Sequence, residues 1–326
     1  MKRFLIVAAG LGLVLAVAFI VHEGIGAVTK AFAAVGYGLL VVTLIRGVEL
    51  AGAGLGWWII IPPDAKAALL RCIEVRFIRE AINMLLPVAQ VGGEIAGARV
   101  MTFHGLPAAL AGASVLVDIF MQVVALFFFT LTGIGLYAMD GANDAELAPI
   151  LFGAGVMGAA LLGFFVAQRF GGAKLLDRAL MAMAERTGWD ALANVASLHD
   201  NLVRIYADLP RLTVSMAVHI AVWFVGALEI LVALRLMGYP ITFADAVIIE
   251  SLSQAVRAAA FLVPGALGVQ EAGFIAICSA FGIPAAPALA LSLVKRVPEL
   301  LVGPPFLFVW HAYEAKALKR RREAGS

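Results

Sequence analysis

Two stretches of this sequence carry the same charged residues at nearly the same spacing, in surroundings that are otherwise apolar. The first runs Arg79-Glu-Ala-Ile-Asn83-Met-Leu-Leu86-Pro87-Val-Ala-Gln-Val-Gly92-Gly93-Glu94. The second runs Arg257-Ala-Ala-Ala-Phe-Leu-Val263-Pro264-Gly265-Ala-Leu267-Gly268-Val-Gln-Glu271. Each has an Arg, an apolar run into a proline, a glycine-containing bend, and a Glu seven residues past the proline. A third charge follows 24 residues after each Glu, as Asp118 in one half and Lys295 in the other. A guanidinium can hold phosphate or another anion through paired N–H donors. A nearby carboxylate balances it and can hold a cationic or hydroxylated group. A helix N-terminus after each bend would add partial positive charge beside an anion.

Charges at membrane depth cost roughly 2.5–3.5 kcal/mol each on insertion scales, so they read as candidates for function. The substrate-binding candidates are Arg79, Asn83, Glu94, Arg99 and Asp118 in the first half. In the second they are Glu250, Arg257, Glu271, Lys295, Arg296 and Glu299. The hairpin-turn candidates are Pro87, Gly92 and Gly93, then Pro264, Gly265 and Gly268. Glu80 also falls in this set, and Gln90, Ser114, Gln122, Ser253 and Gln254 are uncharged candidates for the wall of a polar cavity. The structural alternative is that Arg–carboxylate pairs pin helices together and bind nothing.

The elements that must position these residues are membrane helices. The chain of 326 residues is 63% hydrophobic and 14% charged, with a mean hydropathy of +0.98. Soluble domains run at roughly 45–50% apolar and about 25% charged. The apolar runs are continuous, unlike the alternation of barrel strands. Six stretches are long enough to span: 4–21, 35–61, 107–138, 148–168, 211–236 and 285–311. The first also resembles a signal peptide, with Ala16-Val-Ala18 as a cleavage site. Lys2 and Arg3, the basic segments 62–79 and 169–211, and the tail with Lys316, Lys319 and Arg320 to Arg322 are expected in the cytoplasm. The acidic loop 139–147 is expected outside. Crossing arithmetic then makes 80–106 and 241–284 re-entrant hairpins that enter from opposite faces.

The predicted fold is therefore all-α and integral to the membrane, with six transmembrane helices and two re-entrant helical hairpins in an inverted repeat. The repeats are 1–138 and 148–311, with both termini cytoplasmic. Such duplications are typical of transporters. The insert 172–208 carries Leu175, Leu180, Val195, Leu198, Leu202 and Ile205 at helical spacing, and reads as amphipathic helix on the cytoplasmic leaflet. Residues 312–326 form a basic tail. Trp57, Trp58, Trp189 and Trp310 are expected at membrane ends. Gly52-Ala-Gly54-Leu-Gly56 is expected to allow close helix packing, and Arg46 and Glu49 to pair or to join the cavity.

The remaining composition narrows the chemistry. A net charge of +2 is too small to indicate nucleic acid. Cys72 and Cys278 read as packed thiols, and the five histidines have no ligand spacing, so neither a metal nor a cofactor is expected. There is no His-Glu-x-x-His, no serine elbow and no phosphate loop with Lys and Ser/Thr. A catalytic role is not expected, although paired carboxylates could support acid–base chemistry.

The strings Arg79-x3-Asn83-x2-Leu86-Pro87 with Gly92-Gly93, and Pro264-Gly265-x-Leu267-Gly268-x2-Glu271, resemble two signatures of the flippase-like membrane family. That family includes the transmembrane region of bacterial lysyl-phosphatidylglycerol synthases. The resemblance covers nearly the whole chain, 1–315. It implies a lipid-handling protein of the bacterial inner membrane that moves amphiphiles between leaflets. The partners it implies are a membrane lipid, with lipid-biosynthesis enzymes or further copies of the chain. Family members that make aminoacyl lipids carry a soluble catalytic domain after the membrane part, whereas a basic tail follows it in this sequence, so synthase activity is not expected. Other stand-alone members are associated with hopanoid biosynthesis. Flipping or scrambling of a lipid is thus the leading expectation. A head-group-modifying enzyme and a non-transporting lipid-binding scaffold are the rivals.

Overall fold

A computed structural model describes residues 25–86, 91–141, 144–170, 195–259, 266 and 268–324. Among the described residues it is built from eleven α-helices and a short 3-10 turn, with no strand. In chain order they are α1 (Ile25–Val35), α2 (Gly38–Ile60), α3 (Leu69–Leu85), α4 (Gly92–Phe103), α5 (Ala108–Met139), α6 (Asp144–Phe170), α7 (Val195–Ala207), α8 (Leu209–Leu236), α9 (Phe243–Ala259), α10 (Val269–Ser279) and α11 (Ala285–Ala324).

The helices are arranged with charge inside and apolar surface outside. On α2, Leu40, Leu44 and Val48 recur every four residues and are exposed, while Glu49 is only 7% exposed. Phe128 on α5, Phe152 and Leu162 on α6, and Leu300 and Phe308 on α11 also face outward. In water this would reverse the ordinary preference. Against lipid it is the stable arrangement, because tails solvate the apolar face and the protein must satisfy every polar group itself.

Among the described residues three helices, α2, α5 and α8, are long and apolar enough to cross a membrane. At 1.5 Å per residue the shortest, with 23 residues, is about 35 Å long, against about 30 Å of hydrocarbon. Helix α6 carries a shorter apolar core, 150–163. Helix α11 has 40 residues and contains Pro298, Pro304 and Pro305. Its length of about 60 Å exceeds a bilayer's thickness, and the charged 295–299 stretch interrupts its apolar run. The expected first span 4–21, the turn residues Pro87, Pro264 and Gly265, the side of the insert at 172–194, and Trp189 lie outside the described residues.

Each half contains a pair of short helices packed on one another, α3 with α4 and α9 with α10. Two apolar cores hold them. One gathers Trp57, Ile78, Met101, Val117 and Leu202 around the first pair, and the other gathers Phe129, Ile230, Ile249, Phe274 and Leu291 around the second. Helices α2 and α5 contribute to both, so they tie the halves together. Glycine permits the tightest contacts. A Cβ on Gly54 would stand 2.7 Å from the Ile73 Cα, and one on Gly56 would stand 2.7 Å from His219 Nε2. The small-residue run on α2 is thus a packing surface for α3 and α8.

Helix α7 buries Leu198, Leu202 and Ile205 in the first core and packs on α5. The described part of the insert is therefore amphipathic and docks on the bundle. Cys72 and Cys278 are free thiols buried in different cores.

Candidate functional site

The first charged motif assembles around one arginine. Arg79 on α3 is fully buried. Its Nη1 donates to Asp118 Oδ2 on α5 at 2.7 Å, and its Nη2 contacts Glu94 on α4. Glycine makes the room. A Cβ on Gly97 would stand 2.5 Å from the Arg79 Cγ, and one on Gly93 would strike the Arg79 carbonyl oxygen. The arginine therefore lies along a glycine face of α4. Asn83 ties the bend on both sides, with Nδ2 donating to Glu94 Oε1 at 3.1 Å and Oδ1 accepting from the Gly93 N–H at 2.8 Å. Glu94 occupies the first turn of α4, where the helix dipole favours an acid.

Other helices complete this cluster. Gln122 donates to Asp118 Oδ2 at 2.8 Å, and His219 Nε2 from α8 stands 3.2 Å from Asp118 Oδ1. The Arg79 guanidinium lies 4.8 Å from the Trp57 ring, whose Nε1 donates to Ser114 at 3.1 Å. Trp57 was expected at a membrane end, but it is wholly buried. A cation over an indole face gains more than an interfacial position offers when both are out of water.

The second motif is wired differently. Lys295 on α11 donates to Glu229 on α8 and to Glu250 on α9, both at 2.8 Å. Gln254 donates to Glu250 Oε1 at 2.8 Å. Glu271 accepts from Arg296 at 2.9 Å and from Ser292 at 3.2 Å, and it takes the Gly268 N–H at 2.7 Å. Gly268 has φ of +78°, the left-handed region that glycine reaches without strain, which opens α10 with Glu271 in its first turn. Arg257 Nη2 reaches Glu299 at 3.1 Å and the Met84 sulfur at 3.0 Å. That last contact joins the end of α9 to the end of α3.

Between the two motifs lies a cavity of about 240 Å³. Arg46, Glu49, Arg76, Glu80, Asn83, Glu94, Gln122, His219, Gln254 and Arg257 supply its polar wall. Leu50, Met84, Ile119, Val222 and Trp223 are among its apolar lining. Arg46 bridges Glu49 at 2.7 Å and Glu80 at 2.5 Å. Arg76 is tied only loosely, with Nη2 3.5 Å from Glu80 and a buried Nε that has no partner.

Of the sequence-predicted residues, Asn83, Glu94 and Arg257 line the cavity, Arg79, Asp118, Glu250 and Glu299 stand one contact behind it, and Lys295 stands behind Glu250. Glu271 and Arg296 form a pair of their own, away from the cavity wall. Arg99 lies apart, held by both oxygens of Glu314 at 2.8 and 3.1 Å. Sequence reasoning left out Arg76, His219 and Glu229 as site residues. Glu229 had a signal: it is the one acid in the 28-residue apolar helix α8. The pairing of His219 with Asp118 bridges distant helices and had none.

Charged residues buried between apolar-faced helices, around a wet-sized cavity, define a multi-pass membrane protein with a polar interior. The family comparison names that class further. The profile of the family described as lysylphosphatidylglycerol synthase TM region matches residues 5–303, and the chain belongs to that family. Comparisons with curated proteins and with solved structures each return no match.

Proposed function

We propose that this protein is a lipid transporter of the flippase or scramblase kind, which carries a polar-headed lipid between leaflets through the charged cavity. The observation that carries this reading is the cavity's composition. It offers Arg76 and Arg257, neither fully engaged by protein carboxylates, together with Glu94 and Asn83 on the same cavity wall. A phosphate matches the first pair, and an ammonium or hydroxyl group matches the second. Aminoacyl or anionic phospholipids and polar hopanoids carry such groups. A volume of about 240 Å³ is below the roughly 300–1,000 Å³ of sites that enclose whole drug-sized ligands. A head group fits and acyl tails do not, so the tails stay in the bilayer while the head group crosses.

The reading includes a layout of six spans and two re-entrant hairpins in an inverted repeat, with both termini cytoplasmic, in a bacterial inner membrane. The expected hairpin 80–106 starts inside the continuous helix α3 (Leu69–Leu85), so the whole pair α3–α4 would be the first hairpin and α9–α10 the second, meeting at the Arg257–Met84 contact. The chain acts without chemical conversion of the lipid, alone or as copies beside lipid-biosynthesis enzymes. The test is leaflet exchange of a panel of labelled lipids in proteoliposomes, comparing wild type with Arg257→Ala and Arg76→Ala. Exchange by wild type, lowered at least tenfold in both variants, supports the reading. Exchange no faster than in empty vesicles for folded protein rejects it, and chemical conversion of a lipid would replace it with an enzyme.

A further inference from the structure

We infer that Glu49 is a proton-binding group of the cavity, and that its protonation frees Arg46 for an anionic head group. This rests on the transport reading for its purpose, but the protonation stands on geometry of its own.

The charges around Glu49 do not balance. Around it, directly or across Arg46 and the cavity wall, stand Arg46 on its own helix, Arg76 and Glu80 on α3, Glu229 on α8, Glu250 on α9 and Lys295 on α11, while His219 on α8 lines the same cavity and is paired with Asp118. The Arg257–Glu299 pair beyond them is neutral as a unit. That leaves three cations against four carboxylates in a buried region. Arg46 already serves two acids, and so does Lys295.

The oxygens show the same deficit. Glu49 Oε1 and Glu229 Oε1 are buried and have no hydrogen-bond partner. Each such orphan is costly when charged, and a proton on one of them removes the excess. Glu49 lines the cavity, whereas Glu229 lies behind it at 1% exposure, so Glu49 is the acid a proton from the cavity reaches. Gly226 supplies the space. A Cβ there would stand 2.8 Å from Glu49 Oε1 and 3.6 Å from Glu250 Oε1.

Glu94 and Glu271, the motif acids, do not offer the same opportunity. Glu94 faces Arg79 and Asn83, and Glu271 faces Arg296, Ser292 and the Gly268 N–H.

The step balances simply. Glu49 Oε1 takes one proton and the carboxylate becomes a neutral acid. Its attraction for Arg46 Nη1 falls, and Arg46 keeps only Glu80. The freed N–H groups then face the cavity, where a phosphate can accept them. Proton and anion therefore bind with positive linkage, and by reciprocity the anion favours the proton.

Infrared difference spectra of the purified protein, taken between acid and alkaline buffer, test the protonation without requiring transport. The expected result is a protonated-carboxyl band in wild type that disappears in Glu49→Gln and persists in Glu94→Gln. Gly226→Ala, which crowds Oε1 while keeping the acid, is expected to shift that band. Absence of the band in wild type, or its survival in Glu49→Gln, overturns the inference. Loss of the band in Glu229→Gln alone also overturns it, by moving the proton to that residue. Proteoliposome exchange under an imposed pH gradient then reads the coupling. Wild type is expected to change rate at least threefold with the gradient, and the ratio falls to one in Glu49→Gln. A gradient-insensitive wild type that still exchanges lipid overturns coupling and leaves the transport reading intact. Absence of any exchange rejects the transport reading, while the band still decides the protonation.

Discussion

The two copies of the charged motif share their spacing and differ in their wiring. In the first, Arg79, Glu94 and Asp118 form one cluster around a single fully buried guanidinium. In the second, the equivalents disperse: Arg257 joins Glu299, Glu271 joins Arg296, and Lys295 joins Glu229 and Glu250. The periodicity fixes where each charge sits along its own helix. Which partner it meets depends on what the neighbouring helices bring. The first copy receives Trp57 and His219, a ring face and a neutral or cationic donor. The second receives Glu229, which adds an acid to a region already rich in them. One motif has become a compact knot around a single guanidinium, and the other adjoins a region with more acids than cations.

Removing a partner from the knot breaks this contrast most severely. Asp118→Ala leaves Arg79 buried with Glu94 alone, and such losses cost about 3–5 kcal/mol. Glu271→Ala is expected to cost less, because the Arg296 side chain is 16% exposed whereas that of Arg79 is wholly buried. Unfolding midpoints of the two variants in detergent check the ranking. Equal losses would mean that the two copies are energetically alike despite their wiring.

The second cluster is tested by subtraction. Lys295→Met leaves Glu229 and Glu250 facing each other without their cation, and the expected destabilisation is about 3 kcal/mol, the lower end for a broken buried pair. Adding Glu229→Gln should restore part of it, since one of the two acids left without a cation is then neutral. A double mutant no better than the single one would show that Lys295 acts through packing and not through charge.

These contrasts also mark what the sequence could tell. The helical membrane class, the spans α2, α5 and α8, and the need of Arg79, Glu94, Asp118, Arg257 and Lys295 for oppositely charged partners inside the bundle were legible, because hydropathy and buried charge act locally. Asn83 was legible as well, since it sits one turn from Arg79 and beside the bend. The partners were not. The Arg46–Glu80 bridge spans 34 residues and the Arg99–Glu314 pair 215, and no periodicity predicts which helices lie side by side. Trp57 was misplaced for the same reason: a tryptophan near a helix end reads as interfacial until a buried arginine is found beneath it.

A glycine on each short helix pair gives a milder comparison. Gly97→Ala sets a methyl 2.5 Å from the Arg79 Cγ, and the cost of overpacking is about 1–3 kcal/mol. Gly273→Ala meets Val256 Cγ1 at 3.1 Å, which a small adjustment relieves. Alanine's helix preference, about 1 kcal/mol over glycine, offsets that strain. Thermal unfolding of the two variants should therefore show a clear loss for the first and almost none for the second. A comparable loss at Gly273 would mean that both helix pairs are packed to the same tolerance.

The smallest effect is expected where charge meets water. Arg204 Nη2 on α7 donates to Asp64 Oδ1 at 2.6 Å, and both side chains are at least half exposed. That hydrogen bond holds the Asp64 carboxyl below the ordinary aspartate range. A depressed carboxyl stabilises the fold above its unfolded value, and the contribution disappears as the pH falls through the lowered folded value. Solvent and salt screen an exposed pair, and at about 0.15 M salt little of it survives. Arg204→Ala should therefore leave the unfolding midpoint unchanged at neutral pH, with any difference from wild type confined to low salt. A loss approaching that of Asp118→Ala would mean that α7 is held to the bundle by this pair. The burial of Leu198, Leu202 and Ile205 against α5 argues instead that apolar contact holds it.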